Sequence, residues 1–396
     1  MEQKRLNKWN ATAAYTLLQV MTWGFYAVIL SFSGNVLYDF GFTDSQISLL
    51  LGISTAAAFV VQLALAELVS RAPKIRVWGI MVTLGAVMFL GNLVVWMPGM
   101  PAWMAVSAYA AACMILQMIP SFTNAMGMDA IKQGSPTNYS IARGMGSLGY
   151  SVLAYLTGVL VREYGSRMVP ALGGICAVVL VVAAVWFHFA GEQGMQEPAK
   201  QREKQKQVGG FLRQYPRFAV FLAASVFLQL SHNLISNFMY QIMMVKNGSA
   251  AEQGTAAAIC ALVEIPVMCL FPLLMRKLRC DKWVRFSSLF ITAKSLGFFL
   301  AKTPYGVYAA QATQMLGYGL YTISSVNYAE MVVGRGESVR AQSYLGATAT
   351  VGSLIASSTG GVICQYFGAQ TMLMVSVVTG LIGGIIIALT AQKTKQ

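Results

Sequence analysis

The sequence predicts an all-α integral membrane protein, with twelve transmembrane helices arranged in two pseudo-symmetric six-helix bundles. Three observations support this fold class: an apolar composition, twelve hydrophobic runs, and one long polar stretch near the middle of the chain. Apolar residues make up 56% of the 396 residues, charged residues make up 11%, and the mean hydropathy is +0.59. A water-soluble surface cannot be built from this composition.

The hydrophobic runs reach the roughly 20 apolar residues that an α-helix needs to cross a bilayer. The first run is too long for a removable signal peptide and has no small-residue cleavage site behind it, so we expect it to remain in the protein. In chain order the predicted spans are 12–38, 45–69, 76–97, 102–128, 139–162, 168–190, 216–244, 254–275, 284–301, 305–333, 340–365 and 369–391.

The long polar stretch, Gly191–Arg217, separates six spans from six. It is rich in Gln and Lys, contains the pair Gly209-Gly210, and lacks apolar periodicity over most of its length, which is typical of a flexible linker. We therefore predict an N-terminal six-helix bundle over 1–190, a cytoplasmic linker over 191–217 and a C-terminal six-helix bundle over 218–396.

The two halves resemble each other in sequence. GVLVREYG at 158–165 matches GVICQYFG at 361–368, and LVSRAPKIRVW at 68–78 can be laid over LMRKLRCDKWV at 274–284, with a basic cluster in each. The two pairs have nearly the same offset, about half of the chain length. A weak repeat without inversion is typical of transporters built from two parallel halves.

The net charge of +14 could indicate binding to nucleic acid, but the positions of the 28 Lys and Arg residues argue against it. With the N-terminus inside, 22 of the 28 fall on the cytoplasmic side. This asymmetry is the positive-inside rule, and it predicts a multi-pass protein of the cytoplasmic membrane with both termini in the cytoplasm and no nucleic-acid partner. The exceptions are Arg162, Arg167, Lys246 and Lys302 outside, and Arg143 and Lys294 within spans.

No motif in the sequence predicts a cofactor or a catalytic centre. The 6 cysteines are scattered through spans and span ends without metal-ligand or redox spacing, so we interpret them as small apolar filler. A nucleotide-binding loop, a catalytic triad and a metal-ligand cluster are all missing from the sequence. We expect a protein that is not an enzyme and that needs no metal or cofactor.

Three charged residues lie a full turn or more inside predicted spans, where a charge costs from roughly 3 to more than 10 kcal/mol. Glu264 in ICALVEIPVMCLF and Lys294 in SSLFITAKSLGFF are near the centres of their runs, and Arg143 in NYSIARGMGSLGYSV lies about a turn inside its run. Charges kept at this cost predict contact with a polar solute that crosses the membrane. Two alternatives stay open: Glu264 and Lys294 could only neutralise each other, and Arg143 could only anchor its helix.

Other polar and aromatic residues are candidates for lining the solute path. Tyr150 lies seven residues after Arg143 and therefore on the same helix face. A guanidinium beside an aromatic ring suits a hydroxyl-rich ring. His232 is the best-placed group that titrates near neutral pH. Residues that could either line the path or join helices are Trp23 and Tyr26 in the first span, and Gln311 and Gln314 in the tenth.

On these residues the chain resembles the major facilitator superfamily, and within it the proton-coupled sugar and nucleoside symporters similar to lactose permease. NYSIARGMGSLGY is similar to a fifth-span motif in which an Arg binds substrate hydroxyls and an aromatic residue stacks on the sugar ring. The resemblance therefore implies substrate roles for Arg143 and Tyr150. It also matches Glu264 to the substrate-binding acid of the eighth span, Lys294 to the basic residue of the ninth and His232 to the His of the seventh.

The chain departs from this family where titrating residues are expected. The tenth span of lactose permease carries a His and, three residues on, a Glu, whereas the matching stretch QATQMLGYGLY has Gln314 and Gly317. Proton coupling then needs another group, and His232 and Glu264 are the candidates. The fourth-span acid that partners the Arg is matched either by Asn124 or by Asp129, and both stay open as members of the substrate site.

These patterns together predict a secondary transporter that works by alternating access. We expect it to move a small polar solute, such as a sugar, an oligosaccharide or a nucleoside-like compound, with proton coupling. Efflux of amphipathic compounds, a uniporter and a sodium-coupled carrier are the alternatives. We expect a monomer whose partners are its small-molecule substrate, the coupling proton and the lipid bilayer.

Overall fold

The computed structural model describes residues 2–71, 76–132, 135, 137–192, 210–333 and 338–394. These residues form helices joined by turns, without a strand among them, which confirms the predicted all-α class. In chain order the α-helices are α1 (Glu2–Ile29), α2 (Ser33–Asp39), α3 (Asp44–Arg71), α4 (Val77–Trp96), α5 (Ala102–Lys132), α6 (Tyr139–Tyr164), α7 (Met168–Glu192), α8 (Phe211–Gln214), α9 (Pro216–Asn237), α10 (Met239–Val245), α11 (Ala250–Lys277), α12 (Cys280–Leu300), α13 (Pro304–Ala312), α14 (Tyr318–Val332) and α15 (Ser338–Thr390).

The helices follow the predicted spans. The first span combines α1 with α2, and the seventh combines α9 with α10. The eleventh and twelfth spans both lie in α15, which turns at Gly368, where φ is 81° and glycine is favoured. Within the described ranges, 8 helical stretches are long and apolar enough to cross a membrane, by length and composition. One of them, Ala341–Thr390, holds the last two spans.

The tenth span, predicted as one segment over 305–333, is interrupted in the structure. α13 ends at Ala312, and a 3-10 turn over Thr313–Met315 precedes α14. Gly317 packs directly on α12, because a Cβ at this position would lie 3.2 Å from backbone atoms of Phe290 and Ile291. Only glycine allows such an approach without displacing the helix. The interruption places Gln314 in the turn between the two half-helices.

The chain divides into two compact units. Unit 1 comprises Met1–Gly41 and Ile53–Lys204, and unit 2 comprises Phe42–Gly52 and Gln205–Gln396. Most of the predicted linker over 191–217 lies outside the described residues, which resume at Gly210 just before α8.

In unit 1, α1 packs against α6 and α7, and α4 packs against α5 and α7. α6 approaches α1 closely at Gly149, where a Cβ would lie 2.7 Å from Cγ1 and 2.9 Å from the carbonyl oxygen of Val20. A Cβ at Gly144, on the same helix, would meet nothing within 4 Å. Small residues at such contacts let membrane helices pack backbone to backbone.

In unit 2, α9 packs along α15, and α12 packs against α14 and α15. Three buried serines join these helices. The Oγ atom of Ser295 lies 2.9 Å from that of Ser231 and 3.0 Å from that of Ser376. Hydroxyl groups that hydrogen-bond to one another satisfy their buried polar atoms. The serine cluster therefore holds together the helices that carry His232, which follows Ser231, and Lys294, which precedes Ser295.

We expect Gly149→Ala to destabilise unit 1 by about 1–3 kcal/mol, because overpacking against a backbone forces the helices apart. Gly144→Ala is expected to be neutral or to stabilise by up to about 1 kcal/mol, since alanine forms helices better than glycine. Thermal unfolding of the purified protein in detergent measures both effects. Equal melting temperatures for the two variants would contradict this account of the α1–α6 contact.

Candidate functional site

Arg143 lies near the start of α6 and stacks on an aromatic ring. The helix is capped by Asn138, whose side chain accepts a hydrogen bond from the amide of Ile141. The guanidinium carbon of Arg143 lies 4.2 Å from the centroid of the Trp23 ring, and its Nη1 donates to Oγ of Ser147 at 3.4 Å. Stacking fixes the plane of the guanidinium and thereby the directions of its donors.

A hydrogen-bond network continues from Trp23 across unit 1. Its indole Nε1 donates to Oε1 of Gln19 at 3.2 Å, and Nε2 of Gln19 donates to Oδ1 of Asn124 at 3.1 Å and to the hydroxyl of Tyr15 at 2.8 Å. Asn124 also accepts from the hydroxyl of Tyr139 at 3.3 Å. The network holds the face of the indole toward Arg143.

Trp23 is an aromatic residue that lies beside Arg143. A Cβ at position 146 would lie 2.7 Å from Cδ1 of Trp23, so Gly146 makes room for the indole. The hydroxyl of Tyr150 lies 2.8 Å from Oγ of Ser31, which follows α1. The two predicted partners thus lie on one helix, with the guanidinium of Arg143 over the indole and the hydroxyl of Tyr150 on Ser31.

Of the two candidates on α5, Asn124 belongs to this network and Asp129 does not. Asp129 is half-buried and forms no hydrogen bond or ion pair with any other residue that the structure describes. Tyr26, one turn after Trp23 on α1, has its ring centroid 6.1 Å from that of the indole. The surroundings of Arg143 thus contain neutral amides and aromatic rings.

In unit 2, Gln314 joins Glu264 to Lys294. Nζ of Lys294 donates to Oε1 of Gln314 at 2.6 Å, and Nε2 of Gln314 donates to Oε1 of Glu264 at 2.6 Å. Lys294 and Gln314 are only 2% and 1% exposed, whereas Glu264 is half-buried. We call these three residues the charge relay. A buried ammonium is costly unless it is hydrogen-bonded and balanced by an opposite charge, and the charge relay provides both.

Several helices hold the charge relay in place. α11, which carries Glu264, begins with a capping box at Ser249. A Cβ at Gly319 would lie 3.1 Å from Cγ of Glu264, so the carboxylate side chain packs on the first turn of α14. The positive end of a helix favours a negative charge at that place. Nζ of Lys294 lies 5.5 Å from the centroid of the Phe298 ring.

His232 forms a second cluster in unit 2. Its ring stacks on that of Tyr318 with the centroids 3.6 Å apart and an interplanar angle of 6°. The Tyr318 hydroxyl donates to Oε1 of Gln229 at 3.2 Å, and Nε2 of His232 lies 3.4 Å from Oγ of Ser236. Its Nδ1 is buried and has no hydrogen-bond partner among the described residues. His232 also interacts electrostatically with Lys294, so the two clusters share one interior.

Gln311 serves a different purpose from Gln314, although both were candidates for lining the path. Its side chain is 1% exposed, and its Nε2 donates to the carbonyl oxygen of Ala256 at 3.1 Å. This bond ties α13 to α11 and favours the helix-contact alternative.

Neutral residues complete both clusters without any charge or motif to mark them in the sequence. Gln19, Tyr139 and Gln229 are the examples. Helical spacing is the one signal, since Gln19 lies one turn before Trp23 and Gln229 lies three residues before His232. The resulting arrays of fixed donors and acceptors, one in each unit, can bind a polar solute through hydrogen bonds and ring stacking.

Comparison with known proteins gives a family and a fold. The family model described as MFS_1 like family matches residues 15–375. No curated protein sequence matches the chain significantly. Among solved structures the chain is similar to a mutant form of the nucleoside transporter NupG, with a TM-score of 0.78, 11% identity, and 97% of this chain and 100% of that chain covered.

Two other solved structures show the same fold. One is a bacterial homologue of the iron transporter ferroportin in an inward-facing state, with a TM-score of 0.74, 14% identity, and 97% of this chain and 99% of that chain covered. The other is a POT family transporter in complex with a thioalcohol-conjugated peptide, with a TM-score of 0.71, 10% identity and 95% of each chain covered.

Removing one charge from the charge relay is expected to destabilise the protein. Glu264→Gln leaves the Lys294 ammonium buried without a counter-charge, at a cost of about 3–5 kcal/mol. Lys294→Met is expected to cost less, because Glu264 is half-buried and keeps its donor from Gln314. The double variant should recover most of the loss. Thermal unfolding in detergent tests this order, and a double variant no more stable than Glu264→Gln alone would contradict it.

Proposed function

Because the chain belongs to the MFS_1-like family and is a multi-pass membrane transporter, we propose that it takes up a small polar, hydroxyl-rich solute together with protons. Sugar-like and nucleoside-like compounds are the proposed substrates. The mechanism is alternating access, in which a binding site near the middle of the membrane opens to one side at a time.

The observation that carries this proposal is the charge relay inside membrane-spanning helices. Lys294 is almost fully buried and Glu264 lies on the neighbouring polar network, two Gln314 hydrogen bonds away. Ionisable residues at this depth are expensive and mark pathways for polar solutes and protons. A structural role alone would be met at lower cost by apolar residues of similar volume.

The cluster in unit 1 supports the substrate class. Arg143 supplies planar donors that suit neighbouring hydroxyl groups, and Trp23 supplies an aromatic face that suits the apolar side of a sugar or base ring. Asn124 adds an amide to the same network. NupG is a nucleoside transporter, which makes nucleosides the first solutes to test.

Proton coupling is proposed for His232 and Glu264. Both are titratable side chains inside membrane-spanning helices, where such groups mark proton pathways. Coupling requires one of them to bind a proton more tightly in one facing state than in the other.

The positive-inside distribution of Lys and Arg supports a location in the cytoplasmic membrane with both termini in the cytoplasm. We also propose that the protein works as a monomer.

The direct test is uptake by the purified protein in liposomes with imposed ion gradients. A panel of nucleosides, monosaccharides and disaccharides is offered with a pH gradient, with a sodium gradient and with neither, against protein-free liposomes. Accumulation that requires the pH gradient supports the proposal. Accumulation with sodium alone identifies a sodium-coupled carrier, equilibration without accumulation identifies a uniporter, and outward movement of amphipathic dyes identifies an efflux protein.

Arg143→Lys should lose most transport, because it removes the planar fork while keeping the charge. Each charge-assisted hydrogen bond lost costs about 1.5–3 kcal/mol, or roughly 10- to 150-fold in affinity for the solute. Trp23→Phe keeps a ring and should be mild, whereas Trp23→Leu should be severe. Arg162→Lys at the exposed end of the same helix is the matched control. Normal uptake by Arg143→Ala would remove Arg143 from the substrate site.

Neutralising either proposed proton carrier should abolish accumulation driven by a pH gradient. His232→Gln is expected to retain more exchange of solute across the membrane than Glu264→Gln, because Glu264 is also proposed to contact the solute. The double variant Glu264→Gln with Lys294→Met should fold but fail to transport. Accumulation driven by the pH gradient and exchange, measured as counterflow, are both recorded in the same liposomes. Full accumulation by His232→Gln and Glu264→Gln would place the coupling elsewhere.

A further inference from the structure

The hydrogen bonds of the charge relay have only one possible direction. A lysine ammonium donates and cannot accept, so it must face the oxygen of the Gln314 amide, as it does at 2.6 Å. The amide nitrogen, which can only donate, then faces Glu264. The oxygen of Glu264 that receives this bond must therefore act as an acceptor and carry no proton.

If that oxygen of Glu264 carries a proton, the hydrogen bond between Glu264 and Gln314 must run in the opposite direction. The carboxylic acid then donates, and it needs an acceptor where the Gln314 nitrogen now lies. Gln314 can supply one only by turning its amide over, which brings its single oxygen to Glu264. Lys294 loses its acceptor in the same movement, and within the described part of the chain Gln314 is its only hydrogen-bond partner.

We propose that Gln314 is a two-position amide switch, in which a proton on the Gln314-facing oxygen of Glu264 and a hydrogen bond from Lys294 to Gln314 exclude each other. Resting on the function proposed above, the switch orders the cycle: protonation of Glu264 releases the Lys294 ammonium, which then binds an acceptor group of the solute. Gln314 acts as a positioning residue, because it works through the two charged side chains.

Other titratable groups lie around the switch and also influence the pH at which Glu264 binds a proton. Lys294 on α12 interacts electrostatically with Glu264 and with Cys260, one turn before Glu264 on α11. His232 on α9 also interacts electrostatically with Lys294 and stacks on Tyr318 at the start of α14. Removing Cys260 or His232 would alter the local field, whereas removing Gln314 would break the exclusion itself.

A double-mutant cycle on the proton affinity of Glu264 tests the switch. Infrared difference spectra of the purified protein are recorded through a pH titration, and the carboxyl band of Glu264 is the one lost in Glu264→Gln. The midpoint is compared with and without Lys294→Met, first with Gln314 present and then in Gln314→Met, which has a similar length and no amide. Gln311→Met, three residues earlier in the same span, is the matched control.

With Gln314 present, Lys294→Met should raise the proton affinity of Glu264 about tenfold or more, within the usual range for coupled sites. In Gln314→Met the same substitution should have an effect about threefold or more smaller, because only the direct attraction between the two charges remains, while Gln311→Met should keep the full effect. Gln314→Asn, whose amide is too short to reach both charges, should behave as Gln314→Met does and serves if that variant folds poorly.

Two outcomes would overturn the switch. An undiminished effect of Lys294→Met in Gln314→Met would mean that the charges act directly through space, or that the proton resides on the other carboxyl oxygen. An equal loss of the effect in Gln311→Met would mean that any change in the tenth span suffices. The titration needs no solute, so it tests the switch separately from the proposed function. The switch can be wrong in a proton-driven transporter, and it can be correct in a sodium-driven one.

Discussion

The buried ammonium of Lys294 is the constraint on which the interior of unit 2 depends. Transfer of such a charge out of water costs several kcal/mol after relaxation, so an acceptor and a counter-charge must lie close by. The acceptor is Gln314, which reaches Lys294 because the tenth span is interrupted there and Gly317 packs on α12. The counter-charge is Glu264, which packs on the first turn of α14. The irregular backbone at Thr313–Met315 thus lies beside the two charged side chains. Irregular segments inside a membrane are tolerated where they are buried in protein.

In unit 1, the cation inside a membrane-spanning helix is Arg143, and its surroundings differ from those of Lys294. Arg143 is half-buried and stacks on an indole, and the network behind Trp23 consists of neutral amides and hydroxyls. A guanidinium is more weakly hydrated than an ammonium and packs readily on an aromatic face. The interiors of the two units therefore differ in chemistry, since one has planar donors beside a ring and the other has a pair of opposite charges.

Hydropathy and charge distribution predict the helices well because burial in lipid imposes them residue by residue. The exceptional residues Arg143, Glu264 and Lys294 are equally visible, since each is a charge in an apolar run. The interruption at Thr313–Met315 could not be predicted, because no proline marks it and its cause is contact with α12, far away in sequence. For the same reason neutral residues such as Gln19 were missed, since their importance comes from partners that only the fold brings near.

The neutral amide of Gln314 between two charged residues also limits which groups can bind or release a proton. Gln314 cannot hold a proton itself, so the total charge of the charge relay changes only at Glu264 or Lys294, in an interior where one unit of charge counts for more than in water. His232 meets a related limit, because a doubly protonated ring needs two acceptors and its buried Nδ1 has none among the described residues. Protonation at either position therefore calls for a rearranged partner or for a new one. In the proposed transport cycle a hydroxyl-bearing solute would be such a partner, since each hydroxyl both accepts and donates, and ordinary hydrogen-bond requirements would then link proton binding to solute binding.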